Sequence, residues 1–560
     1  MARKINYENW TKEELTKELQ RIKETKYGLV WHRNLPEDKI DVLINPDART
    51  PNEMFPNEMA GRPFPILKEV KNKEVETDKN KPVNLLIEGD NYHSLAVLSF
   101  THQQAVDFIY IDPPYNTGNK DFIYNDKFID SEDPYRHSKW LSFMERRLKL
   151  GKNLLKETGV IFISIDDHEE AQLKLLCDEI FGESNFITNL IWKKKGTSTN
   201  VEGAHVSSLT EYILCYGKSP KAKLKPRMRS KETREYPFSD KEGSYRKAII
   251  EKKNVGSYAR ASMQFKILGH APRAGKRWQI GDETARELEA RNRFIFEDGM
   301  IKLKIYDFED RDTFSAQPNL LEDCGSTQSA QQALDGILGK QGVFDNPKPI
   351  ELIKKLLTFV GDENSVILDF MAGSGTTGHA VLDLNKEDGG NRRFVLCTNN
   401  GDEKAEHKIA SDICYPRLKK VIGGYKNGKN QSVMGLGGNL KYYTCDFVEA
   451  EPTDRNKRKL VNECTDMLCI RENIFDLALN GDEFKIFRKG KEYLGIVFHE
   501  DAIDRFKKAI AKVKGHCNAY VFSMTDDPHK AQFANLADKI TLCAIPEVIL
   551  KVYREIFKET

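Results

Sequence analysis

Two short segments carry residue types whose spacing could do chemistry. The first is Asp112-Pro113-Pro114-Tyr115, directly after the apolar run Phe108-Ile-Tyr-Ile111. Ligands of open parallel sheets sit beyond the carboxyl ends of strands, and a strand over Val106–Ile111 delivers this tetrapeptide to such an end. Two consecutive prolines fix the backbone and remove two N–H donors, so the carbonyls there point in set directions without partners of their own. An acidic acceptor, a free carbonyl and an aromatic ring in one rigid turn suit a planar ring bearing an exocyclic amine. The ring stacks on Tyr115, and the amine donates to Asp112 and to the carbonyl of Pro113, which makes the nitrogen lone pair a better nucleophile. The second segment is Asp369-Phe-Met-Ala-Gly373-Ser-Gly375-Thr-Thr-Gly378, placed between a strand over Ser365–Asp369 and a helix from Thr377 to Leu384. Glycines at such a turn let a ligand approach the backbone closely. The segment is not a phosphate-binding P-loop, because Thr-Thr stands where that motif has Lys-Ser/Thr. Alone, it is equally consistent with tight helix–sheet packing.

The elements that must position these residues alternate in type. Apolar strands are expected at Asn84–Glu88, Val106–Ile111, Gly159–Ile165, Ser365–Asp369 and Arg393–Thr398, with helices at Leu141–Glu157, Glu169–Ile180 and Lys348–Val360. Such alternation implies an α/β fold with a parallel sheet covered on both faces. Five segments follow. Residues 1–80 form an arm with a helix over Thr11–Thr25, begun by the capping pattern Thr11-x-x-Glu14, and a tandem Pro-Asn-Glu-Met copy at 51–59. Residues 81–195 begin the sheet domain, 196–342 interrupt it as a large insertion of poorer periodicity, and 343–430 complete it. After a Gly/Asn/Lys-rich linker, 440–560 form a small α/β tail domain, with strands at Tyr493–Phe498, Ala519–Phe522 and Ile540–Ala544 and helices at Asp501–Val513 and Pro546–Ile556.

The 560 residues hold 87 Lys and Arg against 85 Asp and Glu, so the chain is no polycation. The balance is uneven along it: Lys193–Ile280 carries 21 basic against 7 acidic residues, whereas Gly281–Gly342 carries 7 against 13. A basic block of that size, interleaved with Tyr212, Tyr216, Tyr236, Tyr245, Tyr258, Phe265 and Trp278, suits a nucleic-acid backbone and its bases; a solvated insertion is the plainer reading. No run reaches the ~18 consecutive apolar residues of a membrane span, and the first residues lack the apolar core of a signal peptide. Ten scattered cysteines without a Cys-x-x-Cys pair read as reduced thiols of a cytoplasmic protein.

Taken together, the two motifs resemble those of the DNA amino-methyltransferases, which carry Asp-Pro-Pro-Tyr and Phe-x-Gly-x-Gly. The order, catalytic motif first and glycines about 260 residues later with a basic insertion between, resembles the β class. Further matches are Ile87-Glu-Gly89-Asp90-Asn91, Phe162-Ile-Ser-Ile-Asp166-Asp-His168-Glu and Phe344-Asp-Asn-Pro347-Lys348-Pro349. The whole looks most like the modification (Mod) subunit of type III restriction–modification systems. The resemblance implies a Rossmann-like methyltransferase sheet acting on N6 of adenine in double-stranded DNA with S-adenosyl-L-methionine as methyl donor, a target-recognition role for 196–342, a homodimer, and a restriction endonuclease–helicase (Res) partner. Asp112, Pro113, Pro114 and Tyr115 would hold the base. Gly373, Ser374, Gly375, Thr376 and Asp369 would line the methionine end of the cofactor, Lys348 would contact its carboxylate, and Asp90 would lie near its adenine. Two departures stand out: Met371 replaces the usual Phe, and Asn399-Asn400 stand where an acid usually takes the ribose hydroxyls, with Asp402 or Glu403 as substitutes. Asp166, Asp167, His168 and Glu169 read as helix-capping residues rather than a metal site, since methyl transfer needs no metal. A cytosine-N4 methyltransferase, an RNA methyltransferase and a non-catalytic specificity module are the competing readings.

Overall fold

Strands made of uninterrupted Val, Ile, Leu and Phe need cover on both faces, and the computed structural model of the protein supplies it. It describes residues 64–552, apart from 125–126, 198–205, 361, 402–405 and 449–453, together with Thr11, Lys12, Leu15, Thr16 and Trp31. Most of the expected Thr11–Thr25 helix, the 51–59 tandem copy, Asp402 and Glu403 lie outside the described residues. In chain order the first half of the main body comprises β1 (Phe64–Glu69), β2 (Val83–Glu88), α1 (Asn91–Thr101), β3 (Val106–Ile111), α2 (Arg136–Leu154), β4 (Leu155–Ile165), α3 (Glu170–Phe181), β5 (Phe186–Lys193) and β6 (Thr210–Gly217). The second half adds β7 (Leu320–Leu321), α4 (Ile350–Val360), β8 (Val366–Asp369), α5 (Thr376–Asp388), β9 (Arg393–Thr398), α6 (Tyr415–Gly423) and β10 (Asn439–Val448).

These strands join one sheet in the order β1-β10-β2-β9-β8-β3-β4-β6-β5-β7. The centre, from β10 to β4, is parallel, while β1, β6 and the β5–β6 pair run antiparallel to their neighbours. Alternation along each strand sends side chains to two cores. Leu85, Ile87, Ile109 and Ile111 pack under α1, α2 and α3 with Leu95, Trp140, Leu148 and Leu173. Leu86, Phe108 and Tyr110 pack under α4, α5 and α6 with Leu352, Leu356, Val381 and Leu418.

The sheet is wider than the sequence pattern suggested. β6 lies beyond residue 196 yet pairs with β4 from Tyr212 to Gly217, and β10, which contains residue 440, runs between β1 and β2. The boundaries at 196 and 440 therefore fall on the wrong side of these strands. Each had a signal: Tyr212–Tyr216 is an unbroken apolar run, and Leu440, Tyr442 and Tyr443 are buried. Residues 476–545 form a further five-stranded sheet with strands in chain order, the first three antiparallel and the last two added in parallel. The helix Thr465–Glu472 ties it to the main body, where Arg471 Nη1 donates to the Phe100 carbonyl at 2.7 Å. Among the described residues no helix is long and apolar enough to cross a membrane, and all ten cysteines are free.

Pro226–Pro318 forms a second compact unit, narrower than the expected insertion. Phe238–Asp240, Gly243–Ile249, Met300–Tyr306 and Phe294–Glu297 make an antiparallel sheet in that order. Trp278, Ile250, Ile267, Phe294 and Ile301 form its core. Much of its charge is paired internally: Asp310 takes Arg234 and Arg246 at 2.5 and 2.6 Å, and Lys304 meets Asp240 at 2.7 Å. A two-stranded ribbon pairs Glu251–Lys253 with Lys276–Trp278 and sets Lys252 opposite Arg277 and Lys253 opposite Lys276.

If β6 is a core strand, Leu214→Ala leaves a cavity in a fully buried position and is expected to cost about 2–5 kcal/mol. A chemical-denaturation series on the wild type and the variant measures that loss; a change within ~0.5 kcal/mol would place Leu214 at the surface instead.

Candidate active site

β3 and β8 are hydrogen-bonded neighbours, with Phe108 opposite Ile367 and Ile109 opposite Leu368. Their carboxyl ends therefore meet, and each motif begins there. The chain leaves β3 for β4 on one side and β8 for β9 on the other, so the two turns flank a topological switch point, where open α/β sheets bind ligands.

Asp112 sits in a cluster of four charged groups. Lys348 Nζ donates to its Oδ1 and Oδ2 at 2.8 and 2.9 Å, and the Tyr115 hydroxyl lies 2.9 Å from Oδ1. The same hydroxyl is 3.0 Å from Glu211 Oε2, so its single proton serves one carboxylate at a time. Lys348 Nζ also reaches the Tyr115 oxygen at 2.9 Å and Glu211 at 3.3 Å, and Lys194 holds the far oxygen of Glu211 at 3.1 Å. Burial pushes the Asp112 carboxyl up, and Glu211 adds to this against the pull of Lys348. Burial acts the same way on Glu211, but Lys348 and Lys194 outweigh it and hold that carboxyl low. Lys348 stays above its ordinary range despite burial because Asp112 and Glu211 face it. The structure thus puts Lys348, expected at a cofactor carboxylate, on Asp112.

The proline turn is braced from below. Trp140 of α2 donates its indole N–H to the Pro114 carbonyl at 2.7 Å, so that carbonyl has a partner, contrary to the expectation of free carbonyls. Asn116 turns the chain with a left-handed φ of 58°. Its amide donates to Glu169 Oε1 at 2.5 Å, and the His137 ring meets the same oxygen at 2.6 Å. Glu169 precedes α3 but makes no capping bond; its fully buried side chain goes to the turn. Asp166 accepts from the backbone N–H of His168 and from its ring, at 3.0 and 2.9 Å.

At the glycine turn, Asp369 is 2% exposed. It accepts from the Met371 N–H at 3.0 Å and the Thr377 hydroxyl at 2.5 Å. Burial, with the charge of Asp112 adding, pushes its carboxyl up to about 7 against those two bonds. Gly373 and Gly375 take φ of +49° and +81°, where a side chain is strained, and a Cβ on Gly375 would come within 2.8 Å of the Cys414 sulfur. Phe370 is buried in the core and Met371 is half-buried. The hydroxyls of Ser374 and Thr376 face inward, to Arg417 Nη1 of α6 at 3.0 and 2.8 Å. Arg417 is 2% exposed, forms no ion pair with a carboxylate among the described residues, and is drawn down to about 10 by burial.

The other expected residues lie at the ends of more distant strands. Asp90, after β2, caps α1 through the Tyr92 N–H at 2.7 Å and meets Arg147 at 3.4 Å. Asn399, after β9, is exposed and accepts from the Gly401 N–H at 3.0 Å, while Asn400 donates to Glu88, the acid that ends β2. Glu169 was read from the sequence as a helix cap, and Glu211, Lys194, Arg417 and Trp140 were not singled out from the sequence as site residues. Each is a lone residue in an ordinary element, and only the fold brings it to the motifs.

Because the Asp369 carboxyl titrates higher in the folded chain than in the unfolded one, its contribution to stability is greatest below the unfolded value and is lost as pH rises through about 7. Asp369→Asn is therefore expected to be more stable than wild type at pH 8, by on the order of a few kcal/mol, with the gap narrowing towards pH 4. Thermal denaturation across that range checks it, and a gap that does not vary with pH would contradict it.

Comparison with known proteins agrees with this geometry. The family of DNA methylases matches residues 106–423. The Mod subunit of the type III restriction–modification enzyme StyLTI of Salmonella typhimurium is 35% identical over 419 residues, 68% of this chain and 62% of that one. The type II methyltransferase M.KpnI of Klebsiella pneumoniae is 34% identical over 382 residues, 62% of this chain and 89% of that one. A solved DNA modification methylase of Thermus thermophilus shares 17% identity at a TM-score of 0.29, covering 60% of this chain and 93% of its own. The matched stretch spans about six-tenths of the type III relatives (62%, 64% and 61% of three of them). With its proline turn and glycine turn at the ends of paired strands, the chain belongs to the DNA methylase family.

Proposed function

We propose that this protein transfers the methyl group of S-adenosyl-L-methionine to N6 of an adenine turned out of double-stranded DNA, as the modification subunit of a restriction–modification system. The observation that carries the reading is the juxtaposition of Asp112-Pro-Pro-Tyr115 and the Asp369–Gly375 turn on neighbouring parallel strands. When bound, the cofactor supplies a methyl group whose carbon–sulfur bond breaks with its electron pair left on sulfur. The glycine turn fits such a ligand. Gly373 and Gly375 take left-handed angles with Phe344 and Cys414 packed where a Cβ would stand, so the turn itself is fixed. Beneath it the buried Arg417, whose Nε has no hydrogen-bond partner and which lacks a carboxylate partner among the described residues, suits an anionic carboxylate above. Asp369, Met371, Ser374 and Thr376 shape that turn, and Asp90 and Asn399 lie towards the adenosine end.

Tyr115 stacks on the target base and Asp112 accepts from its amine. As the nitrogen forms its new bond, positive charge grows on it, and the fixed carboxylate of Asp112 stabilises that charge. The surplus amine proton passes to an Asp112 oxygen, a role suited to a carboxyl that burial already pushes up. Lys348 serves as the counter-ion of Asp112 rather than as a ligand of the cofactor.

Residues 226–318 supply DNA recognition in this reading. The ribbon sets Lys252 opposite Arg277 and Lys253 opposite Lys276, like charges face to face that a nearby polyanion would relieve. A two-stranded ribbon is also of a size the major groove admits. Association with a restriction endonuclease–helicase (Res) subunit belongs to the same proposal, supported by the Mod-subunit relatives; association with a second copy is proposed beside it, with the part of the chain after β10 as the contact domain.

Labelled cofactor, plasmid DNA and purified protein test the reaction: mapped modified positions and nucleoside mass spectrometry are expected to return N6-methyladenine, and N4-methylcytosine would refute the assignment. Asp112→Ala is expected to lose transfer by about a hundred- to a thousandfold while keeping cofactor and DNA affinity. The double substitution Lys252→Ala, Lys253→Ala is expected to lower the slope of log affinity against log salt by about 2; an unchanged slope would remove the ribbon from the interface.

A further inference from the structure

We infer that Glu211 is a positioning residue, whose carboxylate takes over the Lys348 ammonium and the Tyr115 phenol proton from Asp112 when a target amine enters. The inference rests on the methyl-transfer reading of the site.

Asp112 already has donors on both oxygens: each accepts from Lys348 Nζ, and Oδ1 also faces the Tyr115 hydroxyl. An incoming amine competes with these donors, and a buried ammonium drawn away from its carboxylate is strongly unfavourable unless another acid takes it. Glu211 offers the displaced groups a second acceptor without a large movement, since its Oε2 lies 3.3 Å from Lys348 Nζ and 3.0 Å from the Tyr115 oxygen. It is itself held in place. It stands second on β6, a buried strand, and Lys194 anchors its other oxygen at 3.1 Å. The cluster contains two carboxylates and two ammonium groups, so moving Lys348 from one acid to the other leaves its total charge unchanged and frees the Asp112 carboxylate for the amine.

The groups facing Asp112 are Lys348, Tyr115, Glu211, Tyr110 of β3 and Asp369 of β8; those facing Glu211 are Lys348, Lys194, Tyr115, Tyr110 and Asp112. The negative charge of Glu211 raises the Asp112 carboxyl, so its removal lets Asp112 stay ionised to lower pH.

Glu211→Gln keeps the shape and removes the charge. In single-turnover assays it is expected to slow methylation about tenfold or more, with cofactor and DNA dissociation constants within about twofold of wild type and the acid limb of the rate profile moved to lower pH. Glu211→Asp, which restores the charge, is expected to recover part of the rate and the wild-type limb. A Glu211→Gln enzyme with unchanged rate and limb overturns the inference, as does a slowed one whose limb is unmoved and whose rate Glu211→Asp does not improve. If Glu211→Gln does not fold, Glu211→Asp decides alone: a severalfold slower transfer at unaltered cofactor affinity is expected, and a wild-type rate overturns the role. Wild-type protein that methylates no adenine would sink the functional reading instead.

Discussion

Everything at the candidate site depends on the pairing of β3 with β8. The two strands are far apart in the chain, and only their register puts a rigid acid-bearing turn beside a glycine turn. Register here is strongly specified, because Phe108 and Tyr110 go to one core while Ile109 and Ile111 go to the other. A slip by one residue would exchange the two faces. The packing of α2 on one side and α4 on the other thus fixes where the chemistry sits.

Electrostatics at that junction is unusually concentrated. Asp112, Glu211, Lys348 and Lys194 share a largely buried volume, and Asp369 lies on the next strand. Burying two ion pairs seldom adds net stability over an apolar core. A cluster that is expensive to dehydrate and shifts two neighbouring acids in opposite directions is better explained by what it does to a ligand. The same holds beneath it, where Asn116 keeps a left-handed backbone only because the buried Glu169 and the Trp140 indole pin the turn from both sides.

The central sheet was legible in the sequence because strands buried on both faces spell themselves as unbroken apolar runs. Val106–Ile111 and Arg393–Thr398 came out with their observed bounds, and Ser365–Asp369 was long by one residue. The flanks were less legible. β6 follows a polar stretch and runs antiparallel, and β10 follows a glycine-rich linker that looks like a domain boundary although the strand inserts between β1 and β2. Motif residues could be read as a group, since proline and glycine constrain the backbone locally. Arg417 and Glu211 could not. A lone Arg in an amphipathic helix and a lone Glu at the start of a strand have no local signature, and their roles come from packing alone. Lys348 was found as a residue, but its bond to Asp112 was not foreseen, because a lysine more than two hundred residues from Asp112 gives no hint that it will meet that acid.

The unit at 226–318 is bracketed by two hydrogen bonds of the main body. The Lys225 N–H donates to the Phe359 carbonyl at 2.6 Å, and the Asn319 carbonyl accepts from the Ile191 N–H at 2.8 Å. Both moorings use backbone groups, so they place no demand on the side chains of whatever is threaded between them. Any body of suitable span could be spliced at these two points with the sheet left as it is. Such an arrangement lets the inserted unit change in size or sequence while the strands that carry the two motifs keep their register.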